Sequence, residues 1–139
     1  MVEKLTYIEL ADGWYPIKCD LAVLELAQEE YGKLGIFERE LSGLRKAKKE
    51  KEDEEEKYIQ EEPSIKAVRF VLPLMLNEGI DLEHRYEKGK RKHVTEKDLP
   101  ELLTDVNVYE LADALHREFC RSFQSKNPKS TQAEEKNSQ

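Results

Sequence analysis

Apolar and polar positions change period along the chain, and those changes mark its elements. Nine of the twelve residues from Ile65 to Leu76 are apolar: Ile65, Ala67, Val68, Phe70, Val71, Leu72, Leu74, Met75 and Leu76. They point all round a helical wheel, which predicts a central helix wrapped by other elements. Ser64 is placed to cap its start and Gly79 to stop it. Pro73 brings no amide hydrogen and crowds the Arg69 carbonyl, so a kink or break is expected near Val71. From Leu5 to Cys19 the period is two, around Asp12-Gly13, which predicts a β-hairpin. Counting outward from that turn pairs Ala11 with Trp14, Leu10 with Tyr15 and Ile8 with Ile17. One face then carries Thr6, Ile8, Leu10, Tyr15, Ile17 and Cys19, and the other Tyr7, Glu9, Pro16 and Lys18. Pro16 makes its strand an edge or sets it beside a bulge.

The helical period returns after Asp20, an N-cap for LAVLELAQEEYGKL. Leu21, Leu24, Gln28 and Tyr31 follow one face of that helix, with Val23 and Ala27 beside it. Gly32 and Gly35 interrupt it, and Ile36, Phe37, Leu41 and Leu44 repeat at the spacing of a second short helix. Thr95 and Asp98 open a short helix carrying Leu99, Leu102 and Leu103. Asn107 caps the last helix, with Glu110 at the capping-box position. Leu111, Ala112, Leu115, Phe119 and Phe123 form its apolar stripe, and Glu110, Asp113, Arg117 and Arg121 lie away from it. The fold class expected is mainly α with a small N-terminal β-hairpin, an α+β domain packed around the central apolar helix. It spans residues 1–123, and the polar residues 124–139 form a disordered tail.

Charge adds one more segment. Twelve of the thirteen residues from Arg45 to Lys57 are charged, basic first and acidic after. No apolar stripe ties them to a core, so 45–62 reads as a charged connector or an exposed helix with i,i+4 pairs such as Lys48–Glu52. Over the whole chain 30 acidic residues outnumber 23 basic ones, for a net charge of -7. That excess of carboxylates works against nucleic-acid and anionic-membrane binding. The central apolar run is too short to span a bilayer, and MVEKLTYIEL has no signal-peptide pattern. A cytoplasmic protein is expected.

Candidate chemistry is sparse. Cys19 and Cys120 match no metal or redox spacing and read as two reduced thiols. His84 and His93 read as surface residues, and Lys88, Lys90, Arg91 and Lys92 as a solvated basic loop. No nucleophile turn, glycine-rich phosphate loop or zinc-type cluster occurs. Asp81, Glu83 and His84 are close in sequence, but their spacing defines no site, and Glu29-Glu30 is a helix surface. No catalytic residue, cofactor or metal is therefore expected, which leaves a non-enzymatic binding or assembly protein.

The order of elements carries a resemblance. YPIKCDL leads into a helix ending EEYG, then come VRFVLPLMLNEG, TEKDLPELL and NVYELADALHREF. Over roughly Leu5 to Phe123 this resembles the small tail assembly chaperones of long-tailed bacteriophages and of related prophages. The charged run and Pro73 depart from that family's pattern. The resemblance implies a holdase for the tape-measure protein, a long helical rod bound before tail-tube subunits polymerise around it. It implies action in the host cytoplasm and absence from the mature virion, with a frameshifted longer form in many phages. The tail-tube protein is a second partner by the same reasoning, and homo-oligomers are compatible with it. The expected contact surface is the outward part of the last helix and its neighbour, with Leu103, Tyr109 and Phe123 as anchors. The alternative is a non-enzymatic structural or regulatory adaptor, such as another phage morphogenesis component or a small helical regulator.

Overall fold

Three side chains start the long helices by taking up amide groups that have no carbonyl partner in a first turn. Asp20 Oδ1 accepts from the Val23 N–H at 3.2 Å, Ser64 Oγ from Ala67 at 3.2 Å and Asn107 Oδ1 from Glu110 at 3.0 Å. The structure, a computed structural model, describes residues 5–124, so the expected tail beyond Gln124 lies outside it. The order is β1 (Thr6–Leu10), β2 (Gly13–Ile17), α1 (Leu21–Tyr31), α2 (Leu34–Ser42), β3 (Leu44–Lys46), β4 (Tyr58–Gln60), α3 (Ile65–Glu87), α4 (Leu99–Leu102) and α5 (Val108–Arg121). A 3-10 turn, Glu96–Asp98, precedes α4, and the Asp98 carboxylate accepts from the Thr95 N–H at 2.8 Å and its hydroxyl at 3.2 Å. The α+β class expected from the sequence is the observed one. No helix among the described residues is long and apolar enough to cross a membrane.

The hairpin turns one residue earlier than the Asp12-Gly13 signal predicts, which shifts every cross-strand partner by two. Ala11 and Asp12 form the loop, Leu10 stands opposite Gly13, Ile8 opposite Tyr15 and Thr6 opposite Ile17. A slip of two keeps the parity of every position, so the apolar face keeps its members. The loop is anchored from outside: the Ala11 N–H donates to the Leu102 carbonyl at 2.8 Å.

α3 is the hub, packing against β2, α1, α2 and α5. Its buried positions, Ala67, Val68, Val71, Leu72, Met75, Leu76, Gly79, Ile80 and Glu83, form one continuous stripe rather than an all-round apolar surface. Ile65 is exposed, and Phe70 and Leu74 are half-buried. The expected break near Val71 does not occur, and the helix runs through Pro73 as far as Glu87. A proline removes one ladder bond, and the packing of the stripe on four elements holds the turns on either side. Gly79 is likewise no stop signal. It lies where α3 crosses β2, and a Cβ there would sit 2.5 Å from the Pro16 carbonyl group and 2.8 Å from the Ile17 nitrogen. The close approach lets the Lys18 N–H donate to the Met75 carbonyl at 3.0 Å.

The face expected of α1 is rotated. Val23 and Ala27 are buried, while Leu21 is exposed. No helix forms in the 45–62 segment: Leu44–Lys46 and Tyr58–Gln60 pair as the antiparallel strands β3 and β4, and the mostly exposed residues 47–57 connect them. Lys46 from the basic half of the charged run meets Glu56 from its acidic half at 3.5 Å, and Arg45 meets Glu40 of α2 at 3.6 Å and also Glu61 beyond the run. The sign change halfway along the run suits an antiparallel return better than a helix, where each Lys precedes its acid in the weaker i,i+4 orientation. Leu44, expected in the second helix, opens β3, because Gly43 ends α2 at φ 72.

The basic loop after α3 is also tied down. Buried Glu83 accepts from the Tyr7 hydroxyl at 2.9 Å and from Arg91 Nε at 3.3 Å. The Arg91 guanidinium lies 4.5 Å from the Tyr15 ring centre. Asn77 pairs with the Val94 backbone through both amide atoms, at 2.7 and 2.9 Å. Lys88, Lys90 and Lys92 stay exposed, as expected, and Arg91 does not.

Candidate partner-binding surface

α5 has one face in the core and one outside it. Leu111, Ala112, Leu115 and Phe119 are buried, and Tyr109, Glu110, Asp113 and Arg117 are exposed. The core side is fixed by rings from four helices: Phe37 lies 5.4 Å from Phe119 and 5.3 Å from Tyr31, and Phe70 closes the group. Glu118 is the polar exception in that stripe, only 3% exposed. Its carboxylate accepts from the Cys19 N–H at 3.2 Å and faces Arg121 at 3.6 Å, which ties the end of α5 to the start of α1.

Two grooves flank the outer face. The larger, about 1080 Å³, lies between the β1–β2 hairpin and α5. Ile8, Leu10, Val106, Leu111 and Ala114 supply apolar lining, Trp14 and Tyr109 stand at the sides, and Glu9, Asp105 and Glu110 make it acidic, while Asp113 pairs with Arg117 at 2.8 Å. Trp14 is 58% exposed and Tyr109 57%. The second groove, about 630 Å³, lies between α5 and the β3–β4 hairpin and includes Leu44, Pro63, Ala112 and His116. Tyr109 and Asp113, one helical turn apart, belong to both grooves and form the ridge between them.

Of the three expected anchors, Tyr109 sits on that ridge. Leu103 is half-buried and packs on the core. Phe123 is 58% exposed but lies past the other end of α5, its ring 5.1 Å from Phe119. Fourteen residues at 1.5 Å each put Tyr109 and Phe123 about 20 Å apart along the axis, so the three form no single patch. Trp14 joins Tyr109 instead. Its signal in the sequence was a large aromatic on the polar side of a hairpin, beside the turn.

Titratable groups gather in three places. Asp81 pairs with His93 at 2.6 Å, Glu83 with Tyr7 and Arg91, and His84 is exposed, so Asp81, Glu83 and His84 do not converge. Glu78 is pushed up to about 7 by its hydrogen bond with Asp20, by burial and by the Asp20 charge. On the far side of α5, Glu38, His116 and Cys120 do converge. His116 Nε2 lies 3.0 Å from Glu38 Oε2 and 3.4 Å from Cys120 Sγ, and Cys120 Sγ lies 3.8 Å from the same carboxylate oxygen. Burial, then the Glu38 charge, push the Cys120 thiol up. Cys19 is buried and pushed up to about 12 by that burial. His116 and Cys120 are one turn apart, a spacing visible in the sequence. Glu38 is 78 residues away from His116, and only the packing of α2 on α5 brings it there.

Comparison with protein-family models, curated proteins and solved structures finds no match, so the geometry of the surface carries the functional reading.

Proposed function

We propose that the protein is a non-enzymatic tail assembly chaperone that acts in the cytoplasm and holds a long helical tape-measure protein until tail-tube subunits enclose it. The observation that supports this reading is the acidic groove flanked by Trp14 and Tyr109 between the first hairpin and α5. Grooves with apolar lining take the apolar face of an amphipathic helix, with anchors spaced three and four residues apart. Carboxylates at Glu9, Asp105 and Glu110 favour a helix whose apolar stripe is flanked by Lys or Arg. Each aromatic anchor contributes about 1–2 kcal/mol on truncation, so one copy binds weakly. Many copies along a rod would then cover it and still leave one by one as the tube grows.

The test is co-expression with a long coiled-coil rod of the tape-measure type. Wild-type chain should co-purify with the rod and raise its soluble fraction. The Trp14→Ala/Tyr109→Ala pair should lose both effects while keeping the wild-type circular dichroism spectrum. Phe123→Ala should retain them, since Phe123 lies outside the groove. If the wild-type chain neither binds nor solubilises the rod at micromolar concentration, the chaperone reading fails and the adaptor reading replaces it.

A further inference from the structure

We propose that Glu38, His116 and Cys120 form a binding site for a single tetrahedral, thiolate-accepting cation of the Zn2+ class, with its fourth position open to solvent. The three donor atoms already stand close to the corners of one coordination polyhedron. Bonds of about 2.0–2.3 Å at tetrahedral angles require donor–donor separations of about 3.3–3.6 Å. The observed separations are 3.0, 3.4 and 3.8 Å, so shifts of a few tenths of an ångström complete the set.

The way the groups meet separates this reading from a catalytic one. A nucleophilic cysteine relay needs the acid on one imidazole nitrogen and the thiol on the other. Here the carboxylate and the thiol both approach Nε2, so three ligand atoms converge on one point. The donor set of one sulfur, one nitrogen and one oxygen suits Zn2+, whereas Ca2+ and Mg2+ take oxygen ligands almost throughout.

The scaffold holds the donors in place. His116 and Cys120 share one face of α5, and Glu38 stands on α2, which packs against α5. Phe37, beside Glu38, and Phe119, beside Cys120, are fully buried against each other, so neither helix is free to move the donors apart. The His116 ring also stacks on Phe119, at 19° between planes. The His116 side chain is 21% exposed and that of Glu38 44%, and His116 forms part of the second groove. A water molecule can therefore reach the fourth position. A bound cation would cross-link α2 to α5 whatever the first groove binds.

The experiment uses the full chain, stripped with a chelator and titrated with Co2+ and then Zn2+. One Co2+ per chain should bind with a thiolate-to-cobalt charge-transfer band and strong tetrahedral visible bands, and Zn2+ should abolish both. Cys120→Ser should lose the charge-transfer band. His116→Gln and Glu38→Gln should each weaken binding by ~10-fold or more, since even partners behind the ligands are worth that much. Cys19→Ala and His93→Ala should bind as wild type. Zn2+ should also protect Cys120 of the wild-type chain from alkylation, mapped by mass spectrometry, a readout that needs no variant to fold. Absence of the band in wild type, its survival in Cys120→Ser, or equal alkylation of Cys120 with and without Zn2+ would each overturn the proposal.

Discussion

Replacing Gly79 with alanine puts the central claim of the fold under test. In an exposed helix the change is favourable by about 1 kcal/mol, because glycine loses more backbone freedom on folding. At Gly79 the added methyl would sit 2.5 Å from the Pro16 carbonyl group, where ordinary contact begins near 3.5 Å. The neighbour is strand backbone, which cannot rotate away as a side-chain end can. α3 must therefore retreat from β2 by about 1 Å, an overpacking cost of about 1–3 kcal/mol. The retreat also stretches the 3.0 Å bond between the Lys18 N–H and the Met75 carbonyl, worth about 1 kcal/mol. Set against the propensity gain, the net loss is about 2 kcal/mol, or roughly 8 °C in Tm for a domain of this size. Gly35→Ala is the matched control. Gly35 also lies in a helix, yet its Cβ would meet nothing within 4 Å. That variant should gain about 0.5 kcal/mol. Thermal and urea melts followed by circular dichroism decide between the two signs. A Gly79→Ala chain as stable as wild type would show that α3 does not lie against the hairpin, and the hub assignment would fall.

The remaining expectations concern titration and reactivity. Glu78 holds its proton up to about 7 in the folded chain against an ordinary value of 4.5, with Asp20, Asp81 and His93 facing it. The folded state thus binds more protons in that window, so stability falls as pH rises through it. Glu78 is half-exposed and screened by water, which keeps the effect to about 1 kcal/mol. Urea midpoints at about pH 5 and about pH 8 should fall in wild type and stay level in Glu78→Gln, and equal slopes in both chains would refute the assignment. Burial and the raised thiol should leave Cys19 unreactive toward a disulfide reagent in the native chain. Two thiols titrating at the same rate before denaturation would contradict its place behind Glu118.

What the sequence by itself determined was local. Asp20, Ser64 and Asn107 cap helices because a short polar side chain reaches an amide three residues on, and no distant group is needed. The inner face of the first hairpin was legible because a period of two survives a slip of two. The stripe of α5 was legible because its period matches the helix. The tertiary structure decided whatever depends on a second segment. Gly79 has two uses, a stop or a close crossing, and only the passage of β2 beneath it selects the crossing. The charged run has no apolar stripe to reveal its conformation, and the pairing of Leu44–Lys46 with Tyr58–Gln60 at its two ends makes it a hairpin. Trp14 and Tyr109 face one groove because the Ala11 amide is held by Leu102, a contact between residues 91 apart. Glu38 meets His116 and Cys120 because two aromatic-packed helices lie side by side, and the spacing of residues along one chain does not record the distance between two helices in space.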